Sequence, residues 1–295
     1  MKREGTHTAA AATAAYLFSL ALSGLAPYGA KDTVLARLLA AAAVWVFTAM
    51  PQRRFPGPPF LRKAAAAGLW TAGATTGALA GAGFAASLRV FSPFYEHPAV
   101  KAGALLAVVF AGAYAARGGF AALRGFVLCT AGLAVFLSLA ALTAFAAVGG
   151  VSPVSFHALI SPGTDWITDL FAVSGVLADA TAFLVIVRSE DESVRIGVKK
   201  GLRIGTLAAV VCAVIPRLLY GEELLALTAD PFVAALRLAP TFNVPEAAVI
   251  AATFTVTARI GLYGAAVWRT FKSRPGLVAL TAVQGLIGTA LLFLK

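Results

Sequence analysis

Stretches of about 20 predominantly apolar residues recur along the whole chain, and short loops rich in Lys and Arg separate them. A helical run of this length spans the hydrocarbon core of a bilayer. Of the 295 residues, 60% are hydrophobic and 13% are charged, which is about half the charged share of a soluble domain. The chain is therefore predicted to be an all-α, polytopic membrane protein.

The apolar runs predict about nine transmembrane helices in a single transmembrane domain, residues 1–295. The predicted spans are residues 8–27, 33–50, 64–88, 98–116, 120–148, 165–187, 200–219, 246–268 and 276–294. Most of the 24 Lys and Arg residues lie at the N-terminus and in the loops after every second span. The positive-inside rule then predicts a cytoplasmic N-terminus. The segment from Tyr220 to Asn243 is too interrupted to span, and we expect one or two short amphipathic helices on the outer face.

Composition and residue spacing exclude several classes of function. The net charge of +11 does not indicate nucleic-acid binding, because the charges lie in short loops where they set topology. Cys129 and Cys212 lie within apolar runs and predict neither a disulfide nor a metal site. The predicted spans contain no convincing nucleophile–base pair and no Gly-rich phosphate loop. We therefore expect neither catalytic residues nor a cofactor.

The third predicted span, GLWTAGATTGALAGAGF, places Gly73, Gly77 and Gly81 at four-residue spacing. Small residues so spaced let helix backbones approach closely. This pattern favours helix packing over a ligand-binding role. Thr75 and Thr76 on the same span could nevertheless face a cavity.

Two charged residues lie deep in different predicted spans. Asp179 stands nine residues before Arg188, and Arg259 stands ten residues before Arg269. At about 1.5 Å per residue these depths are about 13 and 15 Å, near the middle of a core about 30 Å thick. A charge at this depth needs a partner or water. We expect Asp179 and Arg259 to face the bundle interior and to pair directly or through water, with structural and functional roles equally open.

Span six, DWITDLFAVSGVLADATAFLVIVR, also contains a Ser174-Gly175 step. Glycine weakens a helix by about 1 kcal/mol relative to alanine. Backbone groups freed within a bilayer are tolerated where they line a cavity or are buried in protein. A discontinuous helix, broken around residues 172–175, is therefore expected to present peptide groups to a ligand.

Span one contains a weaker analogue of this step, with Ser19, then Ser23-Gly24 and Pro27. Paired interruptions in corresponding spans indicate a midplane binding site in transporters. Spans one and six correspond if the repeat is five spans long, with repeat one at residues 8–148 and repeat two, which has four predicted spans, at residues 165–294. The predicted ligand-binding residues are Ser19, Ser23, Gly24, Thr75, Ala172, Val173, Ser174 and Gly175.

Several segments, taken in order, carry a family resemblance. They are GAKDTVLARLLA and RRFPG around span two, YAARGGFAALRGF before span five, DWITDLFAVSGVLADATAFLV in span six, VKKGLRIG at the start of span seven, YGEELLALTADPFVAALRLAP in the loop that follows, and TARIGLYGAAVWRTF in span eight. From about Tyr16 to Leu294 the chain resembles the endospore germination permease family. These proteins are the B-type subunits of germinant receptors, within the amino acid–polyamine–organocation superfamily. A basic residue commonly stands at the position of Arg259 in that family.

The resemblance implies an inverted-repeat, transporter-like fold with discontinuous helices one and six. An amino acid or similar small germinant would lie at the bilayer midplane between the helix ends, whose dipoles favour its carboxylate and its ammonium. The implied partners are an A-type membrane subunit, a C-type lipoprotein and the lipid bilayer. The implied location is the bacterial cytoplasmic membrane or the inner spore membrane.

Two departures from the family pattern are expected to matter. The family usually has ten spans, so the tenth helix is expected to be missing here. Span one reads Leu20-Ala21-Leu22 where the family has Gly-x-Gly.

Three functions remain open at this point. The leading interpretation is a non-enzymatic receptor subunit that binds a small nutrient and triggers germination. The alternatives are a secondary transporter for amino acids or cations and a degenerate membrane scaffold that binds nothing. Flux of labelled amino acids into proteoliposomes favours the transporter, ligand-induced stabilisation without flux favours the receptor, and no ligand response favours the scaffold.

Overall fold

The computed structural model describes residues 2–22, 34–50, 59–128, 166–227, 244–271 and 274–293. Within these ranges all regular secondary structure is helical. The α-helices are α1 (Lys2–Leu22), α2 (Val34–Ala49), α3 (Pro59–Ser87), α4 (Pro98–Arg117), α5 (Gly119–Leu128), α6 (Trp166–Ile186), α7 (Glu192–Leu227), α8 (Val244–Phe271) and α9 (Arg274–Phe293). The prediction of an all-α protein is confirmed for the described part of the chain.

Four segments of the described helices are long and apolar enough to cross a membrane. They are Pro98–Arg117, Asp169–Ser189, Val249–Phe271 and Pro275–Phe293, which correspond to predicted spans four, six, eight and nine. Large side chains on α4 and α9 point outward, with Tyr114 77% exposed and Leu286 72% exposed. Such exposure is consistent with a protein whose surroundings are lipid rather than water. The described part of the chain is therefore all-helical with four helices able to cross a membrane, whereas nine crossings and the orientation of the N-terminus stay predictions.

Helix α7 differs most from its predicted span. It begins at Glu192 and continues to Leu227, so residues 220–227 belong to this helix and not to a separate segment on the outer face. The run of Leu, Glu and Ala after Gly221 consists of strong helix formers, whose summed propensity outweighs a single glycine. Residues 228–243 of the predicted outer segment, and residues 129–148 of predicted span five, lie outside the described residues.

Three glycines on α7 bring that helix close to α1. Gly197, Gly201 and Gly205 are spaced four residues apart and all face α1. A Cβ added at Gly201 would lie 2.7 Å from the Cβ of Thr13, and one added at Gly205 would lie 2.8 Å from the Cβ of Leu17. The absence of side chains therefore sets the spacing of the two helices. From the sequence, such packing was predicted only for the glycines of the third span.

The glycines of the third span also serve helix packing, as predicted. Gly81 on α3 faces Leu105 of α4, and Gly77 faces the side chain of Gln284 on α9. The amide of Gln284 donates a hydrogen bond of 2.9 Å to the carbonyl oxygen of Gly73. Gln284 is 1% exposed, so this bond pairs a buried polar group between two helices.

A glycine pair turns the chain between α4 and α5. The backbone N–H of Gly118 caps α4 by donating to the carbonyl oxygen of Ala115 at 3.0 Å. Gly119 has a φ of 60°, in the left-handed region that glycine adopts without steric cost. This turn lies beside α8, because the guanidinium of Arg269 approaches Gly119.

Candidate functional site

A buried ion pair joins α6 to α8. Nη2 of Arg259 lies 3.1 Å from Oδ1 of Asp179, and both side chains are fully buried. At about 1.5 Å per residue, Asp179 lies about 13 Å from Arg188 along the axis of α6, and Arg259 lies about 15 Å from Arg269 along the axis of α8. The prediction that these two residues face the bundle interior and pair is confirmed, and the contact is direct.

Two tyrosines also donate hydrogen bonds to the carboxylate. The hydroxyl of Tyr263 on α8 donates to Oδ1 of Asp179 at 2.6 Å. The hydroxyl of Tyr16 on α1 donates to Oδ2 at 3.2 Å. Both tyrosines are buried. We call Tyr16, Asp179, Arg259 and Tyr263 the Asp179 cluster.

Neither tyrosine was predicted from the sequence. Tyr263 follows Arg259 by four residues and therefore lies on the same face of α8, which is a signal that could have found it. Tyr16 stands on a different helix, and no spacing in the sequence relates it to Asp179. Its ring packs edge-on against Phe183, with ring centroids 5.1 Å apart. Phe183 is one turn beyond Asp179, so the same face of α6 holds both the ring and the hydroxyl of Tyr16.

Helix α3 holds Tyr263 in place. A Cβ added at Gly73 would lie 2.9 Å from the Cβ of Tyr263 and 3.0 Å from its ring, so only glycine leaves space for this side chain. Thr76, which is 3% exposed, also lies beside Tyr263, and its hydroxyl donates to the carbonyl oxygen of Ala72. The Asp179 cluster is thus supported by four helices, α1, α3, α6 and α8.

Helix α6 runs without interruption from Trp166 to Ile186, so the predicted break over residues 172–175 is wrong. The side chain of Ser174 is exposed, and its hydroxyl donates to the carbonyl oxygen of Phe171 at 3.1 Å. An internal glycine weakens a helix by about 1 kcal/mol, whereas an unpaired peptide group in an apolar medium costs several times more. The backbone therefore stays helical through Gly175, and no socket of free peptide groups forms there.

The other predicted residues of α6 are divided between two environments. Ala172 and Gly175 are buried, and Val173 is partly buried. Ala172 and Gly175 precede Asp179 by seven and four residues, which places them on the same helix face about 10 and 6 Å along the axis. The face that carries the ion pair therefore also carries two of the smallest side chains of the predicted site.

The predicted residues of α1 and α3 also separate. Ser19 is 2% exposed and follows Tyr16 by three residues on continuous helix α1. Ser23 and Gly24 lie outside the described residues. Thr75 is exposed, and its hydroxyl donates to the carbonyl oxygen of Thr71 at 2.9 Å. Thr75 therefore points away from the cluster, and the adjacent Thr76 contacts it instead.

The hydrogen-bonding capacity of the cluster is unevenly used. Asp179 accepts three hydrogen bonds of the about four that a carboxylate can accept. Arg259 has five N–H donors, but its buried Nε and Nη1 have no hydrogen-bond partner in the described part of the chain. A buried donor left unpaired costs about 1–3 kcal/mol. Two nitrogens of the Arg259 guanidinium are therefore the unused hydrogen-bond donors of the cluster.

We expect the two tyrosine hydroxyls to contribute unequally to stability. Tyr263→Phe keeps the ring but removes the 2.6 Å hydrogen bond to Asp179, and hydrogen bonds to charged groups contribute about 1.5–3 kcal/mol. Tyr16→Phe removes the longer, 3.2 Å bond and is expected to lower the free energy of unfolding less. Denaturant unfolding of both variants in mixed micelles measures the difference. An equal or larger loss in Tyr16→Phe contradicts the expected order.

Comparison with known proteins adds no family assignment. No protein-family model and no curated protein matches the sequence. A functional proposal for this chain therefore depends on the geometry of the Asp179 cluster and on the motifs of the sequence.

Proposed function

We propose that the chain is a non-enzymatic, membrane-embedded receptor subunit that binds an amino acid or similar small nutrient to trigger spore germination. The observation that carries the proposal is the pair of unpartnered, buried donors on Arg259 beside the Asp179 carboxylate. The motif resemblance to germinant-receptor B subunits supports the same ligand class. An A-type membrane subunit and a C-type lipoprotein are the proposed partners.

Charge balance favours a zwitterionic ligand. The Asp179–Arg259 pair has no net charge, and a net charge added near the bilayer centre costs at least about 3 kcal/mol on insertion scales. A zwitterion adds two opposite charges and no net charge. Its carboxylate suits the free N–H groups of Arg259, because hydrogen bonds between a guanidinium and a carboxylate are among the strongest in proteins. Its ammonium suits the remaining acceptor capacity of Asp179.

The ligand is therefore expected to bind side chains rather than the free peptide groups of a broken helix. With α6 continuous, the buried face that contains Ala172, Gly175 and Asp179 replaces the predicted gap in that helix. Tyr16 and Tyr263 connect this face to α1 and α8. A ligand that competes for Asp179 therefore changes contacts on three helices together, which gives binding a route to partner subunits.

The proposal is tested by ligand-dependent stabilisation of the purified protein in nanodiscs. At least one common amino acid is expected to raise the unfolding temperature of the wild type. Arg259→Lys keeps the positive charge but loses the planar donor fork, so we expect its affinity for that ligand to fall at least about tenfold, as for the loss of one charge-assisted hydrogen bond. Arg203→Lys is the matched control. Arg203 lies between α2 and α7, where it bonds Thr48, and its substitution is expected to leave ligand affinity unchanged.

Three results would contradict the proposal. Counterflow of labelled amino acid into proteoliposomes, abolished in Arg259→Lys, indicates a secondary transporter. The absence of a thermal shift with every common amino acid indicates a scaffold that binds none of them. Equal ligand affinity in the wild type and Arg259→Lys indicates a ligand site elsewhere in the chain.

A further inference from the structure

Two cavities open at one end of the bundle, where α4, α6 and α8 end and α7 and α9 begin; we call this the basic end. Arg117 and Trp268 line both cavities. The first has a volume of about 210 Å³ and is bordered by the turn between α4 and α5 and by Arg269. The second has a volume of about 300 Å³ and is bordered by Leu277 and Val278 of α9.

The first cavity is positively charged because of Arg117. This residue is the last of α4, is exposed and forms no ion pair or hydrogen bond with another described residue. Arg269, on the opposite wall, is neutralised by Glu190, with Nη2 of Arg269 3.0 Å from Oε1. Arg117 therefore supplies a cation that is available to a ligand.

The second cavity is apolar. Val278 is 65% exposed and Leu277 is 6% exposed, and together with Trp268 they form a wall beside the Arg117 guanidinium. The combination of a cationic head and an apolar wall is complementary to an amphipathic anion. A small soluble phosphate would use the arginine but would leave the apolar wall uncovered.

The position of the cavities relative to the membrane also favours a lipid. Arg117, Arg269 and Leu277 lie at or near the ends of three segments long and apolar enough to span the bilayer. A tryptophan at a span end is typical of the interface between hydrocarbon and headgroups. Basic pockets between transmembrane helices at this level bind anionic headgroups.

We propose that these two cavities form one binding site for an anionic phospholipid of the adjacent leaflet. Arg117 contacts the headgroup phosphate, and an acyl chain lies along Leu277 and Val278. The site is separate from the Asp179 cluster and does not depend on the proposed receptor function.

The 295-residue chain is placed in nanodiscs that contain phosphatidylcholine alone or phosphatidylcholine with phosphatidylglycerol. Native mass spectrometry of the protein released from the nanodiscs then identifies the lipids that stay bound. The wild type is expected to retain phosphatidylglycerol in preference to phosphatidylcholine. Arg117→Gln is expected to reduce this preference about fivefold, the equivalent of about 1 kcal/mol per basic residue near a membrane surface. Val278→Trp fills the apolar cavity and is expected to reduce lipid retention without removing a charge.

Arg195→Gln is the matched control, because Arg195 is an exposed arginine on the first turn of α7 at the same basic end and does not border either cavity. Its lipid preference is expected to equal that of the wild type. Equal loss in Arg117→Gln and Arg195→Gln would show general surface attraction and overturn the site. Displacement of the lipid by glycerol phosphate alone, with no effect of Val278→Trp, would indicate a soluble phosphate ligand and also overturn it.

Discussion

Arg259→Gln is expected to lower the free energy of unfolding by about 3–5 kcal/mol, because it leaves the Asp179 carboxylate buried without its counter-charge. Arg259 and Asp179 are both fully buried and 3.1 Å apart, so solvent cannot replace the lost partner. Asp179→Asn is expected to be destabilising for the complementary reason, since it leaves the guanidinium buried without an anion. Reversible unfolding in mixed micelles measures both effects.

The double variant, Asp179→Asn with Arg259→Gln, measures how much stability comes from the interaction between the two residues rather than from each residue alone. Two neutral amides can form hydrogen bonds with each other. We therefore expect the double variant to lose less free energy of unfolding than the sum of the two single losses. The coupling free energy is expected to reach about 0.5–3 kcal/mol, the range for residues in one polar network. Arg195→Gln, an exposed arginine, is expected to change stability by less than about 0.5 kcal/mol. Additive losses in the double variant would show that the contact contributes no stability as a pair.

The second large effect is expected at the crossing of α1 and α7. Gly201→Ala places a Cβ 2.7 Å from the Cβ of Thr13 and against the backbone carbonyl of Ala10. A backbone obstacle cannot move aside as a flexible side chain can, so the two helices must separate. Overpacking of this kind costs about 1–3 kcal/mol. Because Tyr16 stands on α1, the separation is also expected to weaken its bond to Asp179.

Gly68→Ala provides a control of opposite sign. Gly68 lies within α3, and nothing lies within 4 Å of an added Cβ. Alanine is favoured over glycine in a helix by about 1 kcal/mol, so this variant is expected to keep or raise the free energy of unfolding. Equal effects of Gly201→Ala and Gly68→Ala would show that helix propensity, and not the close approach of α1 and α7, determines how replacing these glycines changes stability.

Properties that depend on the residues of one continuous segment could be predicted from the sequence. Membrane class and helix position follow from runs of apolar residues, because the hydrocarbon core acts on each helix as a solvent. The burial and pairing of Asp179 and Arg259 could be predicted for a related reason. A charge near the bilayer centre is costly, and the chain offered one acid and one base at matched depth. The packing role of Gly73, Gly77 and Gly81 followed from their spacing alone.

Features that depend on how helix faces meet were decided by the tertiary structure. A Ser-Gly step is compatible with a broken or a continuous helix, and α6 is continuous because its peptide groups keep their partners within the helix. Tyr16 on α1 donates to Asp179 on α6, and Gly73 of α3 leaves space for Tyr263 on α8. The hydrophobic effect places a segment in the membrane according to the apolar residues of that segment alone. The partners of a buried carboxylate are chosen by contacts between helices far apart in the chain.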